Sequence, residues 1–312
     1  MSVAGGYDKA VKAAASLGMT TFQMFTHSPS QWSVKARLEP PAIGTAKKTL
    51  SVKKGDASRA KWVAKPLETR QLHAFKAAMR DAELHTAFAH DSYLINLGTT
   101  NDELWEKSIA AFIGELEKAE ALGLKGVVTH PGAHGEATPG SAMARVAKAL
   151  DLVHKATKGF QVKTLIETTA GQGTTLGWQF EQIGEILGHL KDPDRVGICL
   201  DTCHMFAAGY AYEPKARLEE TVEAMQRAFG TEKIALIHTN DSLKDSGSRV
   251  DRHAHIGQGK IGLAGIRSIV NHPKLIHVPL ILETPKDLDE KGRPMDEVNL
   301  EVLRTFCKVA KL

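Results

Sequence analysis

The chain has 312 residues, 42% of them hydrophobic and 24% charged, an ordinary globular balance. Its 40 basic and 36 acidic residues leave a formal net charge of +4, which permits a polyanionic partner without demanding one. Three cysteines (Cys199, Cys203, Cys307) are too few for a disulfide framework, no run of about 18 apolar residues offers a membrane span, and MSVAGGYDKA lacks the pattern of a signal peptide, so a reducing, cytoplasmic compartment and no membrane partner are expected.

In chain order, helix-like segments alternate with short apolar, β-branched runs. YDKAVKAAASLG (7–18) reads as a helix and TTFQMF (20–25) as a strand. Further strand-like runs are TAFAH (86–90), GVVTH (126–130), VKTLIE (162–167), GICLD (197–201), IALIH (234–238) and VPLILE (278–283). Helix-like stretches lie among them at 103–123, 141–157 and 218–230, with apolar residues recurring at three and four. Repeated strand-then-helix units predict a parallel sheet, and this many units in one chain favour a closed (β/α)8 TIM barrel, read as a single domain over 1–312. Eight strands are needed and seven are found. Only MSVAGG precedes the first helix, so the first strand is expected to be missing, with the barrel open there or the chain begun at an internal methionine.

Residues 33–65 break the rhythm: nine Lys/Arg against two Asp/Glu give this insertion a balance of +7. It reads either as a solvated, partly flexible basic loop or as an arm that tracks a phosphate backbone.

The strand ends carry the functional signal. After the first strand they are His90, His130, Glu167, Asp201, His238 and Glu283, all metal-ligand types. Any one of them is as readily a capped strand end. Six together on the face where barrels build their active sites form a pattern. His204 follows Asp201 by three residues, and Asp251 and His253 form a D-x-H pair. Nine candidate ligands suffice for three ions that share one carboxylate. In VGICLDTCHMFAAG (196–209) a thiol site, a metal site and a buried strand end all compete; Cys199 reads as a small core residue.

The motifs HDSYLINLG (90–98), THPGAH (129–134), IETTAGQG (166–173), GICLDTCHMFAAGY (197–210), GSRVDRHAHIGQGKIG (247–262) and LILETP (281–286), with SVAGG and SQW earlier, resemble those of the endonuclease IV family of abasic-site DNA repair enzymes. The resemblance spans nearly the whole chain outside 33–65. It implies three zinc ions at the C-terminal face of the barrel. One would be held by His90, His130 and Glu167, a second by Glu167, Asp201, His238 and Glu283, and a third by His204, Asp251 and His253. Glu167 and Glu283 are then the catalytic carboxylates. Cys203 has no expected metal role, and His134 and His255 are not expected ligands. The implied reaction is hydrolysis of the phosphodiester 5′ to an abasic site in double-stranded DNA, with trimming of blocked 3′ ends, by a monomeric enzyme. Tyr93 matches an inserting tyrosine, and Gln31, Trp32 and Arg252 are the further DNA-contact candidates. Ser30 stands where the family usually places an arginine, which puts this loop's grip on a lesion in doubt.

Two rivals stay open. A metal-dependent sugar isomerase or epimerase on the same barrel needs only Glu167, Asp201, His238 and Glu283. A catalytically weakened DNA-binding homologue would follow from Ser30 and a missing strand.

Overall fold

The computed structural model describes Met1, residues 3–36 and residues 62–306. Helix α1 (Tyr7–Ser16) precedes strand β1 (Thr21–Phe25). A short pair, β2 (Val34–Ala36) and β3 (Trp62–Ala64), runs antiparallel. Then follow α2 (Thr69–Asp81), β4 (Thr86–His90), α3 (Asp102–Leu122), β5 (Gly126–Thr129), α4 (Pro139–Ala156), β6 (Lys163–Glu167), α5 (Phe180–His189), β7 (Val196–Asp201), α6 (Thr202–Ala208) and α7 (Lys215–Ala228). The chain closes with β8 (Ile234–His238), β9 (Asp241–Ser242), β10 (His253–Ala254), α8 (Gly262–Val270), β11 (Leu280–Ile281) and α9 (Met295–Phe306).

Seven strands form one sheet in the order β1-β4-β5-β6-β7-β8-β11, and every neighbouring pair is parallel. The seven expected strands are all present, β11 being shorter than its apolar run. Among the described residues no eighth strand stands between β1 and β11. At that seam the amino group of Met1 donates to the carbonyl oxygen of Gln23.

Two apolar layers hold the fold. Outward-facing strand residues such as Phe22, Met24, Val127 and Ile166 pack under the helices. Inside the sheet lies a separate ring with one residue from each of six strands: Phe88, Val128, Leu165, Cys199, Leu236 and Ile281. The helices follow from local chemistry. The Asn101 side chain caps α3, accepting the Leu104 N–H at 2.9 Å, and the Thr138 side chain caps α4 just before Pro139. Fully buried side chains such as Phe112 and Leu116 on α3 each contribute roughly 1.5–3 kcal/mol relative to exposure.

The β2–β3 pair lies against α3, where Gly114 makes room: a Cβ there would stand 2.6 Å from the Ala64 Cβ. The two ends of the basic insertion are therefore anchored beside α3. Its interior, 37–61, lies outside the described residues, as does Cys307.

Candidate metal centre

Side chains two apart on a strand share a face. His90, Glu167, Asp201, His238 and Glu283 each lie two residues beyond their strand's member of the inner ring, as His130 does beyond Val128. The ligand candidates therefore form the layer directly above that ring, at the C-terminal ends of the strands.

Glu167 is the hub. It is 1% exposed, and its two oxygens face different partners. Oε2 lies 3.1 Å from Nε2 of both His90 and His130, while Oε1 lies 2.9 Å from Nδ1 of His238. The same Nδ1 is 3.0 Å from Oε2 of Glu283. Burial alone would raise the Glu167 pKa, but His238 and His130 hold it well below the usual carboxylate range. Glu283 behaves alike: against burial, chiefly His238 brings it down to about 2. His90 moves the other way, to about 9: burial would lower it, but the bond to Glu167 and the charges of Glu167, Asp91 and Glu283 together outweigh burial. The cluster thus holds ionised carboxylates in a site that favours positive charge.

The ring nitrogens are assigned by what they meet. Nδ1 of His90 bonds the Asp91 carbonyl at 2.9 Å, Nδ1 of His204 the Thr168 carbonyl at 2.9 Å, and Nδ1 of His253 the Glu283 carbonyl at 3.1 Å. A carbonyl only accepts, so each Nδ1 carries hydrogen and each Nε2 is left facing carboxylates. His238 is reversed: Gln23 Oε1 takes its Nε2 at 2.8 Å, and Nδ1 faces the carboxylates.

Nε2 of His204 and Nε2 of His253 are buried and have no hydrogen-bond partner, although they stand 3.1 and 3.3 Å from the two oxygens of Asp251. Two orphaned imidazole nitrogens around one carboxylate fit a bound cation, and the nitrogen and carboxylate donor set suits zinc.

Asp201 explains the D-T-C-H spacing. Its Oδ1 accepts the backbone N–H of His204 at 2.7 Å, capping α6 and fixing the helix that carries that histidine. Its Oδ2 accepts from Asn240 Nδ2 at 2.7 Å and lies 4.0 Å from His238 Nδ1 and 3.6 Å from His253 Nε2.

The ligand atoms fall into groups within 4.8 Å of one another: His90, His130 and Glu167; Glu167, Asp201, His238 and Glu283; and Asp201, His204 and His253. The first two coincide with the sets implied by the resemblance. In the third, Asp201 joins the two histidines, and Asp251 reaches both by ion pairs. The buried Cys203 thiol is nearer than expected, grouping with Asp251 and His253.

The loop that carries Asp251 and His253 is tied down by Asp241, which sequence reasoning missed. Its carboxylate accepts backbone N–H groups of Ser242, Gly257, Gly259, Ile261 and Gly262 at 2.8–3.3 Å. A Cβ on Gly259 would stand 2.4 Å from the Ser242 carbonyl oxygen, so the G-Q-G-K-I-G run needs glycine there. Gln23, Asn240 and Thr168 were also missed. A glutamine inside the apolar run TTFQMF was the available signal for the first.

The DNA-contact candidates scatter more. Tyr93 is 62% exposed at the rim, its ring centroid 5.6 Å from those of Phe25 and His90. Beside it, the Ser92 hydroxyl donates to the Pro29 carbonyl at 2.7 Å, which brings the loop of Ser30 and Gln31 next to Tyr93. Gln31 is exposed, whereas Trp32 packs against the core with the Lys107 ammonium 4.3 Å from its ring centroid. Arg252 is exposed and bonds the Asp251 carbonyl. His134 bonds the Ala137 carbonyl and His255 lies 3.5 Å from Asp287, away from the ligand groups.

Residues 11–305 match the model of the xylose isomerase-like TIM barrel family. A protein of Trichlorobacter lovleyi named probable endonuclease 4 is 40% identical over 306 residues, 98% of this chain and 97% of its own length. The crystal structure of endonuclease IV from Thermus thermophilus aligns with a TM-score of 0.76 at 33% identity, covering 99% of this chain and 98% of that one. A solved D-tagatose 3-epimerase-like protein shares the fold alone, with 19% identity, a TM-score of 0.61, and 77% and 83% coverage of the two chains. With the nine residues gathered on one barrel face, these likenesses establish that the chain belongs to the endonuclease IV family of xylose isomerase-like TIM barrels.

Proposed function

We propose that this protein is a DNA-repair endonuclease that hydrolyses the phosphodiester 5′ to abasic sites and trims blocked 3′ ends, using three zinc ions. The observation that carries this reading is Glu167, whose two oxygens serve two different ligand groups. Its expected role is to bridge two ions, with His90 and His130 on one side and Asp201, His238 and Glu283 on the other. His204, Asp251 and His253, with Asp201 close by, would hold the third. Zinc, when bound, supplies Lewis acidity toward phosphoryl oxygens and activates water near neutral pH.

The chain's own residues do the rest. Glu283, 24% exposed at its side chain and lining a cleft with Gln23, Phe25 and Tyr93, would orient the attacking water. The water oxygen bonds to phosphorus and the bond from phosphorus to the 3′ oxygen breaks. A 3′ hydroxyl is left on one fragment and a 5′ deoxyribose phosphate on the other. Tyr93 offers an aromatic face at the rim for a duplex that has lost a base. Gln31 and Arg252 are expected to contact the backbone, and Trp32 to support that loop from beneath.

The chain is taken to act as a monomer on double-stranded DNA, in a reducing cytoplasm. Its two described cysteines, Cys199 and Cys203, are free and buried, and no helix among the described residues is long and apolar enough to cross a membrane. The sugar-epimerase alternative leaves His90, His130, Asp251 and His253 without a task.

The test is a nicking assay on a duplex with one tetrahydrofuran lesion, beside an undamaged duplex and a ketohexose epimerisation assay. Incision 5′ to the lesion alone is expected. Zinc-loaded protein that leaves the lesion strand intact would refute the reading.

A further inference from the structure

The inner ring has a seventh place, on β1, and it is not apolar. Gln23 pairs in register with Phe88, so the two side chains share the interior face. Six strands fill this layer with Phe, Val, Leu, Cys, Leu and Ile, and an apolar side chain at position 23 would complete it. A buried amide must instead find partners for both its ends. Gln23, 7% exposed, finds them one layer up in the metal centre. Its Nε2 donates to Glu283 Oε1 at 2.7 Å, and its Oε1 accepts from His238 Nε2 at 2.8 Å.

Three consequences follow from those two bonds. Where Nδ1 of His90, His204 and His253 each meets a backbone carbonyl, it is Nε2 of His238 that meets an amide oxygen. Its Nδ1 is thereby turned toward Glu167 and Glu283, 2.9 and 3.0 Å away, and is the nitrogen that a metal ion between those carboxylates would take. Glu283, which lies just beyond the two-residue strand β11, gains a fixed orientation for one oxygen while the other faces His238. Finally, β1 and β11 are the two ends of the sheet's hydrogen-bonded order, so the amide spans a seam that no backbone ladder closes among the described residues.

We propose that Gln23 is a positioning residue for the metal centre: it selects the ring nitrogen that His238 offers, orients Glu283, and clasps β1 to β11 at the level of the site. This rests on the zinc reading above. It accounts for a polar residue in an otherwise apolar ring, where packing alone would favour leucine or methionine. Outer partners of this kind fix the tautomer and ring orientation of metal-binding histidines.

The test uses zinc-loaded wild type, Gln23→Leu and Gln23→Met. Long-range proton–nitrogen NMR reads which nitrogen of His238 carries hydrogen, and chelator competition with elemental analysis reads zinc retention. Circular dichroism confirms folding. In the wild type Nε2 is expected to be protonated and Nδ1 bare. The two variants are expected to fold, to lose that fixed tautomer, and to hold zinc about 10–100-fold more weakly. On lesion DNA, kcat falls while KM stays near wild type.

A wild-type His238 protonated on Nδ1, or variants that retain zinc as well as the wild type, would overturn the proposal. The wild-type spectrum decides the matter alone if neither variant folds. Wild-type protein that takes up no zinc defeats the metal reading itself. Wild-type protein that takes it up and is matched by Gln23→Leu defeats the role of Gln23 only.

Discussion

Asp201 caps the helix that carries His204. One carboxylate oxygen accepts the His204 backbone N–H at 2.7 Å, while the other faces His238 and His253. A single side chain therefore sets local structure and contributes negative charge to the site. The two tasks separate by substitution. Asp201→Asn keeps a capping oxygen but loses the bond from Asn240 Nδ2, whereas Asp201→Ala loses both and should be less stable than Asp201→Asn by about 1 kcal/mol from the missing cap. Both should lose zinc and incision. Denaturant midpoints with metal analysis check this; equal stability losses in the two variants would contradict the capping role.

Asp241 organises the loop that holds Asp251 and His253 through five backbone N–H groups. Asp241→Ala leaves those donors without that partner; the Ser242 N–H is buried and the other four are part-buried and open to water, so a stability loss of about 1–3 kcal/mol is expected. The ion at His204, Asp251 and His253 should be lost first, while His90, His130 and Glu167 keep theirs. Thermal unfolding and zinc content measure both. Full zinc content in a protein of wild-type stability would show that the cage is dispensable.

The gathering of the six strand-end residues was legible because a barrel places every strand's C-terminus on one face. The D-T-C-H spacing pointed to ligands but not to the cap, and so not to Asp201 standing between two groups. That position depends on the backbone path from β7 into α6. Gln23 was hidden for a different reason. A polar residue in a short apolar run is ambiguous until the register shows that it shares a face with Phe88. Asp241 was hidden because backbone donors leave no mark in sequence. The basic insertion was visible by composition, yet its interior lies outside the described residues.

His154 provides a pH dependence remote from the ligand residues. It is buried on α4, bonds the Thr164 hydroxyl at 3.0 Å through Nε2, and leaves Nδ1 without a partner. Burial, helped by Arg195, pulls its pKa down to about 4. The unfolded chain, with a value near 6.5, binds the proton first, so this group costs stability as pH falls from about 6.5 toward 4, by at most roughly 3 kcal/mol. Metal-free His154→Gln should therefore lose less stability than metal-free wild type between pH 7 and pH 4.5. Parallel losses in urea titrations would contradict the assignment.

Tyr93 should act on DNA and leave the metal alone. Removing an aromatic that stacks on a base costs about 1–3 kcal/mol, so Tyr93→Ala should weaken lesion-duplex binding roughly 5–150-fold at unchanged zinc content. Fluorescence anisotropy reads the binding. Unaltered affinity would place Tyr93 outside the interface.

The central claim is that Glu167 joins two metal-holding groups, and counting zinc together with incision tests it most directly. Wild-type protein should hold three zinc ions per chain and cut at a tetrahydrofuran lesion. Glu167→Ala, which removes a ligand from both proposed ion sites that share it, should hold one and lose activity by several orders of magnitude. A Glu167→Ala protein that keeps three ions, or that turns over lesion DNA like the wild type, would contradict the account.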